Sequence, residues 1–317
     1  MDIIVIENLR KAYKPKWPGR PPITALRSLS LSVRQGEIYG FLGPNGAGKT
    51  TTLKILLGLM AASGGRAELF GKPAGDVETR RQIGFLPEAP YFYDYLTADE
   101  FLAFYAQLAG MTRQHIGNRV ANLLEMVGLS DARRRQLRTF SKGMLQRVGL
   151  AQAIIHDPSL VILDEPMSGL DPIGRKQVRD LILNLRDRGK TVFFSTHIIP
   201  DVEMICDRVG ILVKGELLAT GRVDELVSEG HNQSVEVVCE GIQVESIQAI
   251  AENASRILRQ GQRHLIVLPG NDCLDSIVST IRSNGGRLIS VTPQKGTLED
   301  VFLRQTDQRS EACAASS

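Results

Sequence analysis

The sequence is poor in the features that mark disulfide-rich, metal-binding and membrane-spanning proteins. Its four cysteines are scattered without a CxxC pair, which argues against a zinc site or a disulfide framework and fits a reducing cytosol. No run approaches the roughly 20 apolar residues that a membrane-spanning helix needs. The longest, residues 53–62, contains Lys54 and Gly58. Since the first residues also lack the basic and apolar regions of a signal peptide, we expect a chain that neither crosses a membrane nor is exported.

Neither sign of charge dominates the sequence. Its 38 Lys and Arg residues against 35 Asp and Glu residues give a net charge of +3, which is too small to predict a nucleic-acid or acidic-membrane partner. The densest basic cluster comprises Arg133, Arg134, Arg135 and Arg138. No aromatic residue is interleaved with these arginines, so a solvated helix face is favoured over a surface that binds nucleic acid or phospholipid. We expect no nucleic-acid partner.

Short apolar segments rich in β-branched residues predict six strands in the first two thirds of the chain. They are Ile3–Ile6, Ala25–Val33, Ile38–Leu42, Ile83–Leu86, Leu160–Leu163 and Val192–Ser195. Helical patterns fill most of the intervals, which is typical of an α/β domain with a mixed or largely parallel sheet. Residues 97–138 have an almost wholly helical pattern, so we expect a helical subdomain inserted at about 97–140.

The pattern changes near Gly221. Beyond it the order is strand, helix, strand, strand, helix, strand, which is the order of a ferredoxin-like split βαβ unit. These segments are Ser234–Cys239, Val244–Ala254, Ile257–Arg259, His264–Leu268, Leu274–Asn284 and Arg287–Thr292. We therefore predict a main α/β domain over residues 1–222, a small α+β accessory domain over residues 223–308, and a disordered tail over residues 309–317.

Residues 43–50 match the phosphate-binding loop G-x-x-x-x-G-K-[ST], between a predicted strand and a predicted helix, Thr51–Met60. Glycines let the backbone curl so that N–H groups and the helix N-terminus point at phosphate oxygens. In this motif Lys49 reaches the β and γ phosphates and the Thr50 hydroxyl ligates Mg²⁺. We predict that the bound nucleotide is contacted by Gly43, Pro44, Asn45, Gly46, Ala47, Gly48, Lys49, Thr50 and Thr51. The loop alone would also suit a GTPase, a kinase or a motor, but no guanine-reading NKxD motif occurs.

Polar side chains follow two further strands of the predicted sheet. Asp164 and Glu165 end one apolar strand, and His197 directly follows another. Ligands bind at the carboxyl ends of strands in α/β sheets. Asp164 would hold magnesium through its shell, Glu165 would polarise the attacking water, and a His197 N–H would donate to the γ phosphate. We predict that Glu165, His197 and Lys49 are the catalytic residues.

The segment FSKGMLQR, residues 140–147, lies about twenty residues before Asp164. It resembles the signature motif of the ATP-binding-cassette (ABC) ATPases, usually written LSGGQ. Taken alone, Ser141 could equally be the N-cap of a helix. Because the phosphate loop, this segment, the acidic pair, the loop Ser168–Asp171 and His197 stand in the family's order, the resemblance covers about residues 3–220.

The resemblance implies a P-loop NTPase cassette that binds and hydrolyses ATP with Mg²⁺ as a transporter subunit. It implies that Ser141 and Gly143 bind the γ phosphate of a nucleotide held by a second subunit, and it adds Asp171 to the nucleotide site. The expected assembly is a homodimer, or a heterodimer with a paralogue, on a separate permease at the cytoplasmic face of the inner membrane. Lys142 and Met144 depart from the family's motif and resemble the subfamily that powers drug, polysaccharide and lipid exporters.

A soluble cassette protein, such as a translation factor or a DNA-repair ATPase, is the rival interpretation. Those proteins usually carry two cassettes in one chain or a long coiled coil between the motifs, and this sequence has neither. The transported substrate is not readable from the chain, because substrate contacts lie in the permease.

Three further assignments rest on the resemblance. Glu88 stands where the family usually has the Q-loop glutamine, and we expect it to keep an oxygen near the magnesium. Tyr13 fits the position of the aromatic residue that stacks on adenine, with Trp17 in the Pro-rich loop Lys14–Pro22 as the alternative. The aromatic cluster Tyr91–Tyr95 is expected to divide between receiving a helix of the permease and packing the helical lobe onto the sheet.

Near the end of the chain, Thr297–Leu303 resembles the terminal helix motif of the same exporter subfamily. We expect the part of the chain beyond Gly221 to have a structural or dimer-stabilising role rather than a ligand site.

Overall fold

A computed structural model describes residues 1–14, 21–229, 234–242, 256–268, 273–294 and 297–302. The chain divides into two compact units, Met1–Val223 and Asp224–Ser317. The predicted helix Val244–Ala254, the tail from Arg309, and Trp17 with most of its Pro-rich loop lie outside the described residues.

The first unit is built on ten strands. They are β1 (Asp2–Tyr13), β2 (Ile23–Arg34), β3 (Ile38–Leu42), β4 (Gly64–Leu69), β5 (Lys72–Pro73), β6 (Ile83–Leu86), β7 (Leu160–Asp164), β8 (Thr191–Thr196), β9 (Arg208–Val213) and β10 (Glu216–Arg222). They form one mixed sheet in the order β5-β4-β1-β2-β10-β9-β3-β8-β7-β6. The predicted α/β class with a mixed sheet is confirmed.

Parallel strands form the half of the sheet that carries the motifs. β9, β3, β8, β7 and β6 pair in parallel, one beside the next. Every residue of β3, β7 and β8 is buried, as expected for strands covered on both faces. Because parallel strands end at the same edge, the segments after β3, β6, β7 and β8 meet there.

Eight helices are described in or at the end of the first unit. They are α1 (Lys49–Leu56), α2 (Val77–Arg80), α3 (Ala98–Leu108), α4 (Arg113–Met126), α5 (Lys142–Ala153), α6 (Pro172–Asp187), α7 (Ile199–Ile205) and α8 (Val223–Glu229). The predicted helical subdomain corresponds to α3 and α4 with two short 3₁₀ turns. A capping box between Thr97 and Glu100 begins α3, because the threonine hydroxyl and the glutamate each satisfy an otherwise unpaired N–H.

The predicted helix Thr51–Met60 is wrong at both ends. α1 begins two residues earlier, at Lys49, because Gly48 acts as its N-cap at φ +112°. It ends at Leu56 because Gly58 has a φ of +66°, a left-handed conformation that commonly closes a helix.

Four strands of this sheet were not predicted, namely β4, β5, β9 and β10. β4 and β10 are mostly exposed or half-buried along their length, so they lack the apolar run by which the buried strands were recognised. β5 has only two residues. β9 is apolar and buried in the middle but follows directly on a helix.

The second unit contains a four-stranded antiparallel sheet. Its strands are β11 (Ser234–Glu240), β12 (Arg256–Gln260), β13 (Arg263–Leu268) and β14 (Arg287–Gln294), in the order β12-β13-β11-β14, and helix α9 (Leu274–Ser283) lies between β13 and β14 in the chain. This strand order is that of the predicted ferredoxin-like unit. Residues 298–302 are helical, and Leu298 and Val301 are buried. Among the helices described in either unit, none is long and apolar enough to cross a membrane.

Candidate functional site

The phosphate loop connects β3 to α1 by a tight turn. Ala47 N donates to Pro44 O at 3.1 Å, and Gly46 has a φ of +80°. At Gly48, any Cβ would lie 2.7 Å from Ala25 O. Pro44, Asn45 and Gly46 are exposed, whereas Ala47, Gly48 and Lys49 are buried. The tip of the loop is therefore exposed to solvent, and its lysine is buried.

Lys49 is the central cation of the site. Its ammonium donates to Gly43 O at 2.6 Å and to Pro44 O at 3.3 Å. It also lies 3.1 Å from Glu165 Oε1, close enough for an ion pair but not in hydrogen-bond geometry. Both side chains are only 6 % exposed, so little water screens the attraction between the two charges.

Glu165 lies between two charged or polar partners. Its other carboxylate oxygen is 2.9 Å from Nδ1 of His197. Its backbone has a φ of +49°, which is uncommon for a residue with a side chain. Two hydrogen bonds hold that conformation, from Glu165 N to the carbonyl and to the hydroxyl of Ser195, each at 3.1 Å. The predicted catalytic residues Lys49, Glu165 and His197 are thus brought together.

Asp164 faces the first turn of α1. Its Oδ1 accepts a hydrogen bond from the Thr50 hydroxyl at 3.3 Å and one from the Ser195 hydroxyl at 2.5 Å. Ser195 was not predicted as a site residue, although its position on β8 opposite Asp164 on β7 would have indicated it. No group of three or more His, Cys, Asp or Glu side chains in the described parts of the chain is arranged to hold a metal ion. The oxygens of Thr50 and Asp164 are nevertheless ligands that Mg²⁺ prefers.

Glu88, the third residue predicted at the metal, lies two residues beyond the end of β6 and is exposed. The last residue of β6, Leu86, pairs with Leu163, which directly precedes Asp164. Glu88 is therefore at the same edge of the sheet as Asp164, but it makes no direct hydrogen bond to Thr50 or Asp164.

Tyr13 lies at the end of β1 beside α1. Its hydroxyl is 3.1 Å from the Thr51 hydroxyl and donates to Met60 Sδ at 3.3 Å. The Lys11 ammonium lies 5.5 Å from the centre of the tyrosine ring. The structure thus places Tyr13 next to the residue that follows the phosphate loop.

Ser141, Gly143 and Asp171 form a second, separate group. Ser141 is the N-cap of α5 and accepts from Met144 N at 3.3 Å. Asp171 is the N-cap of α6 and accepts from Gly174 N at 2.9 Å. All three line one cavity, together with Lys142, Arg147, Gly169, Leu170, Ile173, Gly174 and Gln177. No residue of the phosphate loop lines that cavity, so the two groups are separate within one chain.

The aromatic cluster before the helical lobe contains both packed rings and an exposed ring. Phe92 packs on Phe101 with ring centres 5.4 Å apart. Tyr93 meets Phe104 edge to face at 5.7 Å. Tyr91 is 82 % exposed, so this ring is free to contact another molecule.

Comparisons with known proteins agree with this geometry. The family model for the ABC transporter domain matches residues 26–168. An uncharacterized ABC transporter ATP-binding protein of Synechocystis is 45 % identical over 310 residues, covering 97 % of this chain and 86 % of that protein. The linearmycin resistance ATP-binding protein LnrL of Bacillus subtilis is 31 % identical, covering 95 % of this chain and 97 % of its own length.

Two further proteins extend the comparison. The bacitracin transport ATP-binding protein BcrA of Bacillus licheniformis is 46 % identical over 201 residues, 62 % of this chain and 65 % of that protein. A solved dimeric ATP-binding cassette in a post-hydrolysis state, bound to ADP and Pi, is 26 % identical with a TM-score of 0.63, covering 69 % of this chain and 98 % of its own.

Proposed function

This chain belongs to the family of ABC transporter ATP-binding subunits and is an ATPase, and we propose that it powers export through a separate membrane permease. In this proposal two subunits sandwich two ATP molecules at the cytoplasmic face of the membrane. The pair is a homodimer or a heterodimer with a paralogue. The observation that carries the proposal is the contact of Glu165 with both Lys49 and His197 directly beside the phosphate loop.

Nucleotide binding is assigned to the loop 43–51 and to Tyr13. The backbone N–H groups of the loop and the N-terminus of α1 favour the negative charge of the phosphates. The Lys49 ammonium exchanges its bonds to Gly43 O and Pro44 O for the β and γ phosphate oxygens. Tyr13 supplies an aromatic face for adenine, next to Thr51.

The residues fit a magnesium ion held mainly by the nucleotide and the first turn of α1. Thr50 and Asp164 would hold it, and the Ser195 hydroxyl fixes the orientation of Asp164. Glu88, at the same edge, would reach it through a water molecule. When bound, Mg²⁺ neutralises the charge that the β and γ phosphates share.

Hydrolysis is assigned to Glu165 and His197. Glu165 orients and deprotonates the attacking water, and its burial excludes competing solvent. His197 Nδ1 lies 2.9 Å from Glu165 Oε2, and a ring N–H of His197 is assigned to donate to the γ phosphate. This places a hydrogen-bond donor where the transferring phosphate gains negative charge.

A second subunit completes the site. Ser141, Gly143 and Asp171 share a cavity away from the phosphate loop, so they need a nucleotide held by another chain. The solved cassette that is similar in fold is itself dimeric. The N-terminus of α5, capped by Ser141, favours a phosphate for the same electrostatic reason as α1. We assign the accessory domain predicted over residues 223–308 to stabilising this pair.

Docking on the permease is assigned to the aromatic cluster at the base of the helical lobe. Tyr91 is exposed while Phe92 and Tyr93 pack against the lobe, which gives a fixed ring on a rigid base, a common interface anchor. Relatives named for linearmycin resistance and bacitracin transport favour export.

The test is an affinity capture from detergent-solubilised native membranes, using Glu165→Gln with Mg-ATP to hold the closed state. Lys49→Ala, which cannot hold the nucleotide, and Tyr91→Glu are run in parallel. We expect a stoichiometric polytopic membrane protein with Glu165→Gln and its loss with Tyr91→Glu. Ribosomal or DNA-bound partners without a membrane protein would instead place the chain among soluble cassette factors. Unchanged capture by Tyr91→Glu would refute the docking assignment alone.

A further inference from the structure

Asp201 is a charged residue in the core that none of the sequence motifs accounts for. It lies on α7, four residues after His197, and is only 1 % exposed. Its Oδ1 accepts a hydrogen bond from Arg179 Nη1 at 3.3 Å. Its Oδ2 is buried and has no hydrogen-bond partner in the described part of the chain. Because a buried carboxylate is unfavourable unless it is paired, Asp201 depends on positive charge beside it.

Two arginines of α6 supply that charge. Burial raises the pKa of the Asp201 carboxyl, the charges of Arg175 and Arg179 lower it, and the negative charge of Glu165 raises it again. Arg175 Nε is also buried without a hydrogen bond to any described residue, so its interaction with Asp201 is through charge. Asp201 thus interacts electrostatically with α6 and with the carboxylate at the centre of the site.

The three residues connect α6, which follows the loop that ends at Asp171, to α7, which follows His197. Asp171 caps α6, and Arg175 N donates to Asp171 O at 2.9 Å, so Arg175 lies in the first turn. α7 begins two residues after His197 and packs against α6. Asp201 lies on that helix, while His197 itself contacts Glu165.

We propose that Asp201, Arg175 and Arg179 form a positioning cluster for hydrolysis, which fixes His197 relative to the loop that ends at Asp171. The inference rests on the proposed function, because in the ATP sandwich that loop faces the second subunit. Contact with the partner sets the position of α6, and the cluster transmits that position to α7 and His197. The three residues act through His197 rather than on the nucleotide.

A buried ion pair that only holds two helices together is the plain alternative. Breaking such a pair would lower thermal stability and leave the kcat of the folded protein unchanged. Loss of a positioning cluster lowers kcat and leaves the KM for ATP nearly as it was, because the phosphate loop and Tyr13 are untouched. The two roles therefore differ in a kinetic readout.

The test compares the full-length wild type with Arg179→Gln, Arg179→Lys and Lys176→Gln, each assayed for kcat, KM and thermal midpoint. Lys176 is exposed and adjacent to Arg175 on α6, so its variant controls for the loss of one positive charge. We expect Arg179→Gln to lower kcat about tenfold and to keep KM within about twofold of the wild-type value. Arg179→Lys should recover most of the wild-type kcat. Lys176→Gln should match the wild type.

A folded Arg179→Gln protein with wild-type kcat overturns the proposal. If that variant does not fold, Asp201→Glu decides in its place, because it keeps the charge but displaces it: an unchanged kcat refutes the cluster, and a lower kcat at unchanged KM supports it. ATP-dependent dimerisation of Glu165→Gln, measured by light scattering, distinguishes failure of the positioning cluster from failure of the proposed function. A monomer refutes the sandwich, and with it the link to the partner, whereas a dimer with unchanged kcat in Arg179→Gln refutes the cluster alone.

Discussion

Lys49 and Glu165 lie 3.1 Å apart in the buried centre of the site. Lys49 belongs to the phosphate loop, and Glu165 directly follows β7. The cation assigned to the phosphates is therefore paired with the carboxylate assigned to the attacking water. A bound nucleotide must compete with Glu165 for the lysine. The same contact ties the charge of Glu165 to the affinity for ATP.

Replacing Glu165 with glutamine tests this relationship. We expect phosphate release to fall by about 100-fold or more, because a glutamine cannot act as general base. ATP affinity should be retained or rise, because Lys49 loses its competing anion. Lys49→Ala should instead lose ATP binding itself. Equilibrium binding of a fluorescent ATP analogue alongside phosphate release separates the two effects, and hydrolysis by Glu165→Gln within tenfold of wild type would contradict the assignment.

Two substitutions of Ser141 separate its role as a helix cap from its role toward phosphate. Ser141→Ala removes the hydrogen bond to Met144 N and should cost about 1 kcal/mol of stability. Ser141→Asp keeps a cap and adds a charge that suits a helix N-terminus, but it repels a phosphate. In a Glu165→Gln background we therefore expect the aspartate variant to melt like its parent and to remain monomeric in ATP, as measured by light scattering. Normal dimerisation of that variant would argue against the sandwich.

Gly169 packs against the side chain of Lys142, and both its conformation and its surroundings disfavour a side chain. It has a φ of +67°, and an added Cβ would lie 3.2 Å from Lys142 Cε and even closer to its ammonium. Gly189, with a φ of +78° and nothing within 4 Å of an added Cβ, is the matched control. Each alanine variant should lose about 1 kcal/mol of stability from backbone strain.

Only Gly169→Ala should also lower the ATPase rate, because it displaces Lys142, which belongs to the signature segment. Adding Lys142→Gly to Gly169→Ala should restore the rate by making room. Equal ATPase rates for Gly169→Ala and Gly189→Ala would show that the contact between residues 142 and 169 does not affect hydrolysis.

His156 gives the first unit a pH-dependent stability. Burial lowers the pKa of its imidazole, against the opposing effect of its hydrogen bond to Ile83 O, which is 3.1 Å away. The folded state therefore binds the proton less readily than the unfolded state, so this contribution is complete above about pH 6.5 and is lost as the pH falls toward the lowered pKa.

Thermal midpoints between pH 8 and pH 5 provide the measurement. The fall in the free energy of unfolding as the pH is lowered should be shallower in His156→Gln than in the wild type, by at most about 1.4 kcal/mol per pH unit. His115→Gln, at an exposed position on α4, controls for the loss of a histidine as such. An identical slope in wild type and His156→Gln would contradict the prediction.

Strands β3, β6, β7 and β8 of the parallel half could be predicted because each is a short apolar run that is almost wholly buried. Strands β4 and β10 could not, since most of their residues are exposed or half-buried and they pair with β1 and β2, which are distant in the chain. Local pattern carries little information about such strands. In the second unit, the predicted order of strands and helices is that of a split βαβ unit. The observed strand order is that of the same unit.

The candidate site could be predicted where its residues belong to motifs, and not where they act through neighbours. Ser195 and Asp201 belong to no sequence motif, and their hydrogen-bond partners lie 31 and 22 positions away in the chain. Only the folded sheet shows that Ser195 holds Asp164 and the backbone of Glu165. The sequence assigns Glu88 to the metal by resemblance alone and could not show that this side chain is exposed.

The left-handed backbone of Glu165 sets two demands on position 165 that oppose each other. A glycine would adopt a φ of +49° without strain, and Ser195 could still bind its N–H. The folded protein would be relieved of the backbone strain, but it would lose the carboxylate that pairs with Lys49 and His197 and would leave the Lys49 ammonium buried without its anion. The strained backbone at position 165 is therefore the cost of placing a carboxylate there, and a glycine variant should be inactive.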